Sequence, residues 1–172
     1  GGDRLLSRGE LDKLALYCSG QDTVSLDDVN AVCGDTSENS IDDMVDAVFV
    51  GDAGQACNSF ARLTDSGITA SRLLSMTALH VARLQGLCLS LQSGSNANLA
   101  VKSARPPIFF RRQPSFVQQL QIWQMAQLES AEQTVQTAIA QTRQYPALEP
   151  EITERALLSL ARNAQASRLK NF

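Results

Sequence analysis

The sequence is poor in most of the residues that mark a catalytic or metal-binding protein. It has one histidine, His80, and four cysteines, at positions 18, 33, 57 and 88, with no pair in CxxC spacing. A structural zinc site needs about four Cys or His ligands in close groups, so this pattern excludes one. Each cysteine lies in an apolar or helical stretch, where a reduced thiol behaves as a small hydrophobe, and this predicts a reducing compartment. No Gly-x-x-x-x-Gly-Lys-Ser/Thr loop is present to cradle phosphates and no Gly-x-Ser-x-Gly elbow to present a nucleophile. No apolar run approaches the length of a membrane-spanning helix, and the first residues lack the charged-then-apolar order of a secretory leader. The chain therefore reads as soluble, cytoplasmic and without a membrane partner. Aromatic residues make up only 5% of it, and no period-2 run or Asn-Gly hairpin signal marks a strand.

What is present favours helices. Ala, Leu and Gln are abundant, and such side chains lose little rotamer freedom in a helix. With 172 residues, 44% hydrophobic and 19% charged, the chain is long enough to bury a core without disulfides or metals. The net charge of −3 hides an asymmetry. Residues 1–66 carry 13 acidic against 4 basic side chains, whereas residues 67–172 carry 5 against 11. A basic half can meet nucleic acid or an acidic partner, although scattered bases also simply solvate helix surfaces.

Hydrophobic spacing predicts helices over residues 3–18 and over a short segment from Ser25 to Gly34. The polar stretch 36–40 is the best domain boundary. Ser40 is then placed to cap a helix to Val50, with Ile41, Met44, Val45 and Val48 on one face. Residues 53–65 form the next helix. The longest, 69–92, carries Leu73, Thr77, His80, Leu84, Leu87 and Leu91 on a 4-3-4-3-4 seam, flanked by Leu74, Val81 and Cys88. A turn or more of helix is expected over 99–104, ended by Pro106 and Pro107. After the apolar-then-basic patch 108–112, Ser115 is placed to cap a helix toward Trp123. A long helix over 124–144 has Met125, Leu128, Val135 and Ile139 inward, Tyr145-Pro146 turns the chain, and 149–170 closes it with acids early and bases late. The fold class expected is all-α.

Several residues invite a chemical reading. His80, on an apolar seam, reads as a hydrogen-bonded core histidine ahead of a catalyst. Asp42, Asp43 and Asp46 open a helix, where favourable placement against its dipole competes with a metal site. Glu132, near a helix seam, needs a partner on a neighbouring helix or a place at a subunit surface. Trp123, the lone tryptophan, reads first as core and second as an interface anchor. No cofactor is called for.

Three blocks of sequence carry a resemblance. Residues 3–17, DRLLSRGELDKLALY, are similar to a helix of the delta subunits of bacterial DNA polymerase III clamp loaders. VSLDDV at 24–29, followed by VCGD at 32–35, resembles the next block of that family, and RPPIFFRR at 105–112 a later one. The resemblance implies the end of a small helical lid domain of AAA+ type over residues 1–36 and a helical collar, an oligomerisation domain, over 40–172. It implies a non-catalytic scaffold in DNA replication. Its partners would be the ATPase and delta-prime subunits, with DNA met in the intact complex. The family grips the sliding clamp through an N-terminal domain that these blocks do not include. Phe109, Phe110, Arg111, Arg112 and Trp123 become candidate subunit-interface residues, since interfaces favour exposed aromatic and Arg side chains. Tyr145, in a turn that can lie near the template strand in this family, becomes a candidate base-stacking residue or else a cover for the hairpin end. The alternative reading is a stand-alone helical nucleic-acid-binding module.

Overall fold

The computed structural model describes residues 36–92 and 94–170 and, before them, Asp12, 15–19 and Thr23; the side chains of 36–39 and Lys170 are left aside. Two compact units divide the chain, Gly1–Asn39 and Ser40–Phe172. In the first, Asp12 and 15–17 are helical. The rest of the two helices expected there lies outside the described residues, as does Cys33.

The second unit is built from most of helix α1 (Thr36–Val50), whose first four residues fall in the first unit, and from α2 (Ala53–Asp65), α3 (Ala70–Gln92), α4 (Ala97–Ser103), α5 (Gln113–Ile122), α6 (Met125–Gln144) and α7 (Glu149–Lys170). Short 3₁₀ turns at Phe110–Arg112 and Pro146–Leu148 lead into α5 and α7. No strand occurs among the described residues. The chain is all-α, as composition and periodicity predict.

Helix α3 is the central post. It packs most extensively on α6, and also on α4, α5 and α7, while α7 lies against α2 and α6. The predicted seam explains this. Leu73, Thr77, His80, Leu84 and Leu87 are all buried, as are Leu74, Val81 and Cys88 beside them. A stripe this wide meets helices on two sides, which a narrow coiled-coil seam does not. From α6, Leu128 and Val135 enter the same core, while Met125 and Ile139 pack at its margin. From α1 come Ile41, Met44, Val45, Val48 and Phe49.

Three helix starts differ from expectation by more than one residue, the smallest shift being that of α4, which begins at Ala97 where 99 is expected. The stretch 36–40 is helical, so α1 begins at Thr36 and Ser40 lies inside it. Its residues are polar but include no Gly or Pro to stop a helix. Helix α5 begins at Gln113 with Pro114 in its first turn, and Arg112 stands at the N-cap without a side-chain bond. Proline at that place has no lost hydrogen bond to regret. Ser115 Oγ instead accepts from Gln119 Nε2 at 2.9 Å. Elsewhere the caps follow their chemistry. Asp52 accepts from Gln55 N at 2.9 Å to start α2, and Asn96 accepts from Leu99 N at 2.8 Å to start α4. The start of α3 is capped from a distance: Glu149, the first residue of α7, accepts from Ser71 N at 2.7 Å. This ties the last helix to the central one.

The α1–α2 corner turns on Gly51, at φ +86°, and runs so close to α7 that a Cβ there would lie 2.8 Å from Gln165 N. Gly67, at φ +90°, ends α2 with open space around it. Both adopt the left-handed region that suits glycine. Gly67→Ala should therefore cost about 1 kcal/mol, the conformational term alone, whereas Gly51→Ala adds a backbone collision and should cost at least about 2–3 kcal/mol more. Urea denaturation of the two variants checks this. Equal losses would show that α7 moves aside freely.

Candidate subunit interface

The segment 104–112 links α4 to α5 and carries four of the candidate residues. Its backbone is stiffened by Pro106 and Pro107, the Arg105–Pro106 bond being cis. Phe109, Phe110, Arg111, Arg112 and Trp123 are the five candidate interface residues. The structure divides them. Phe109 is 39% exposed and Phe110 51%, with ring centroids 4.7 Å apart. The Arg111 guanidinium lies 5.7 Å from the centre of the Phe110 ring, within cation–π range. These three face outward.

Arg112 turns the other way. Its Nε donates to Asp46 Oδ2 at 2.8 Å and its Nη2 to Asp46 Oδ1 at 3.0 Å, a two-pronged contact, while Nη1 meets Asp42 Oδ1 at 2.6 Å. Because the helix starts at Thr36, Asp42 and Asp46 lie inside α1 and not at the first turn where its dipole would favour them; they serve instead as a receptor for one arginine. Among the described residues, no three His, Cys, Asp or Glu side chains are grouped to hold a metal.

Asp46 is also the end of a buried hydrogen-bond chain. Gln119 Nε2 donates to Asp46 Oδ1 at 2.9 Å, and Gln119 Oε1 lies 2.7 Å from His80 Nε2. With Gln119 held this way, His80 donates through Nε2–H, and its bare Nδ1 faces Arg112 Nη2 at 3.4 Å. One arrangement of protons satisfies the whole chain. His80 is a hydrogen-bonded core histidine, as its position on the seam suggests. Burial, with the nearby guanidinium adding to it, lowers its pKa from 6.5 to about 4. Burial and the other two carboxylates raise the pKa of Asp42 despite Arg112. The hydrogen bonds and charges of Asp46 and Asp42 raise that of Arg112 against the cost of its burial.

Trp123 belongs to the interior. It is 2% exposed, its Nε1–H donates to Phe49 O at 2.8 Å, and its ring lies 5.2 Å from Phe49. Phe49 stands 4.7 Å from His80, and His80 4.8 Å from Phe116. A row of four rings therefore crosses the core. Trp123 is a core residue, the first of the two roles its sequence position offers, because its N–H finds an acceptor at the end of α1 and leaves nothing polar to hold it outside. Arg112 likewise serves the interior, where Asp46 draws it in.

Tyr145 is half-exposed at the end of α6, beside the equally exposed Leu148. It belongs to another patch. Glu149, just beyond it, caps Ser71, whereas Pro106 meets Arg83, twelve residues and roughly 18 Å further along α3. Glu132 is exposed and accepts from Gln85 Nε2 of α3 at 2.9 Å, the neighbouring-helix partner anticipated for it.

One signal in the sequence escapes a count by halves. Between Asp65 and Glu129 the chain has no acidic residue, yet it carries Arg72, Arg83, Lys102, Arg105, Arg111 and Arg112. The outward aromatics sit inside this stretch. The class defined is an all-α protein with an aromatic and basic corner mounted on a polar-centred core. Comparison with known proteins takes it no further: no protein family, curated protein or solved structure matches the chain.

The buried imidazole has a consequence for acid stability. The unfolded chain binds a proton at His80 below about pH 6.5, while the folded chain resists it down to about pH 4. Stability is therefore full above that window and falls as pH drops through it, by on the order of 3 kcal/mol. Asp42 acts with the opposite sign, since its raised pKa favours the protonated folded state. The clean readout is a difference: His80→Gln should flatten the stability profile between pH 6.5 and 4 relative to the parent chain. Parallel profiles would show that His80 takes its proton without unfolding.

Proposed function

We propose that the chain is the lid-end and collar part of a clamp-loader delta subunit, a non-catalytic assembly element of the DNA polymerase III machinery acting in the cytoplasm. The single observation that carries this reading is the RPPIFFRR block. It resembles the family, and in the fold it presents Phe109, Phe110 and Arg111 on the surface. Exposed aromatics beside arginine are the composition that interfaces favour. The helical unit from Ser40 onward has the class expected of a collar. In this reading its task is geometric. It holds the ATPase and delta-prime subunits in a ring, so that ATP-driven motion in other domains opens and loads the clamp. The clamp itself is gripped by the family's N-terminal domain.

The acid-free stretch between Asp65 and Glu129 favours a second reading, a helical nucleic-acid-binding module. Phe110 with Arg111 at this corner, and Tyr145 at the far turn, would offer stacking faces. It differs in what it predicts: affinity for single-stranded DNA that falls steeply with salt, with no need of other subunits.

Size-exclusion chromatography with light scattering, on the chain mixed with the ATPase and delta-prime subunits of its source, tests the first reading. A heteromeric complex is expected. Phe109→Ala with Phe110→Ala should weaken it while leaving the melting temperature within about 4 °C. Trp123→Ala should instead cost about 3–5 kcal/mol of stability. A folded chain that ignores competent partners overturns the assembly reading.

A further inference from the structure

We infer that Arg83 and Arg112 act together as positioning residues, a two-point clamp that holds the corner bearing Phe109 and Phe110 in one presentation. This rests on the assembly reading of that corner. Arg83, from the middle of α3, donates through Nη2 to the carbonyl of Pro106. Arg112, at the other end of the same segment, is bound to Asp42 and Asp46 of α1. The two aromatics lie between these attachments. Both guanidinium groups also stand over the ring of Phe116, Arg83 at 5.6 Å and Arg112 at 5.2 Å from its centre. They are near enough that the charge of Arg112, after burial, helps lower the pKa of Arg83.

Two cations over one buried ring repel each other. The arrangement holds because each has acceptors of its own: Asp46 and Asp42 for one, a backbone carbonyl for the other. The segment has few internal bonds to fix it. Within 106–112 the backbone bond is Arg112 N to Phe109 O at 2.9 Å, and Gln113 Nε2 adds a bond to Ile108 O at 3.1 Å. In the 3₁₀ turn Phe110 and Arg111 stay exposed, and Arg112 alone turns inward. Ile108, which is buried, is its only apolar root between the prolines and α5. A short segment of that kind gains its order from the arginines at its two ends. Fixing it before association spares the ordering cost that a loose aromatic loop incurs on binding.

Hydrogen exchange on the 172-residue chain, read with the association assay, tests this. In Arg83→Met and in Arg112→Lys, the amides of Arg112 and Gln113, which donate to Phe109 O and Phe110 O, should exchange about tenfold faster, while amides in α6 keep their rates. Affinity for the ATPase and delta-prime subunits should fall about five- to tenfold in the same variants, with helix content unchanged. Arg83→Met keeps the test open if Arg112→Lys folds poorly. Unchanged exchange at the corner in Arg83→Met overturns the clamp. Faster exchange with undiminished association, where Phe109→Ala with Phe110→Ala does weaken association, overturns its role in presentation. If that double variant binds as the parent does, the assembly reading of the corner fails and the positioning role with it, while the exchange rates still report whether the clamp exists.

Discussion

The contact between Arg112 and Asp46 is the point on which the polar interior depends. Asp46 takes two bonds from the guanidinium and a third from Gln119, and Gln119 in turn sets the tautomer of His80. Remove the arginine and Asp46 keeps a charge in a largely dry place with one amide for company. Remove Asp46 and both Arg112 and the Gln119 amide lose their partners. Buried ion pairs seldom add net stability over a well-packed apolar alternative, because desolvation consumes most of the attraction. Their effect is on choice among packings: with one arginine and one arrangement of protons, α1, α3 and α5 have a single register in which every group is satisfied. The aromatic row from Trp123 to Phe116 shares His80 with this network, so apolar packing and hydrogen bonding select the same arrangement.

The outward-facing chemistry is a by-product of that selection. Arg111 and Arg112 are neighbours in sequence, and a 3₁₀ turn of about three residues sends adjacent side chains in very different directions. Once Asp46 claims Arg112, Arg111 and Phe110 are left outside. The same core that fixes the helices fixes what the corner can present.

Much of the fold is legible in the sequence because it is written in local spacing. The 4-3 seam of α3 identifies a helix and its buried residues, and the acids at the head of α7 mark a start. His80 is readable for the same reason: its place on the seam argues burial, and one histidine has no second catalytic group of its kind. The helix starts at Thr36 and Gln113 are less legible. Polar residues at 36–40 permit either a cap or a helix interior, and Pro114 fits a first turn as well as it ends a loop. The partition of the residues at 109–112 is not legible. Nothing in a Phe-Phe-Arg-Arg run says which arginine turns inward. The answer lies 66 residues earlier, at Asp46. A spacing clue exists in that Asp42 and Asp46 stand four apart on a helix whose other face is apolar, a pair placed to receive one guanidinium, but it needs a tertiary partner to be read. Trp123 reads first as core, but what holds its N–H there is hidden for the same reason, since its acceptor, Phe49 O, is 74 residues away.

Charge distribution bears on why assembly is favoured over direct nucleic-acid binding. Six cations and no acid between Asp65 and Glu129 is a strong bias, but the fold does not deliver it as one surface. Arg112 is neutralised by two aspartates, and Arg83 is engaged with a carbonyl and with Phe116. Arg72 lies eleven residues before Arg83 on the same helix, toward the end capped by Glu149. What stays beside Phe109 and Phe110 is Arg111, with Arg105 further back along the segment and Lys102 in the last turn of α4. Nucleic-acid affinity grows with the number of phosphates neutralised together, so a sequence-long bias dispersed by folding loses most of its force. A protein interface needs no such density. It needs a few rigid aromatic anchors near arginine, with the rest of the contact merely complementary, and this corner supplies those elements.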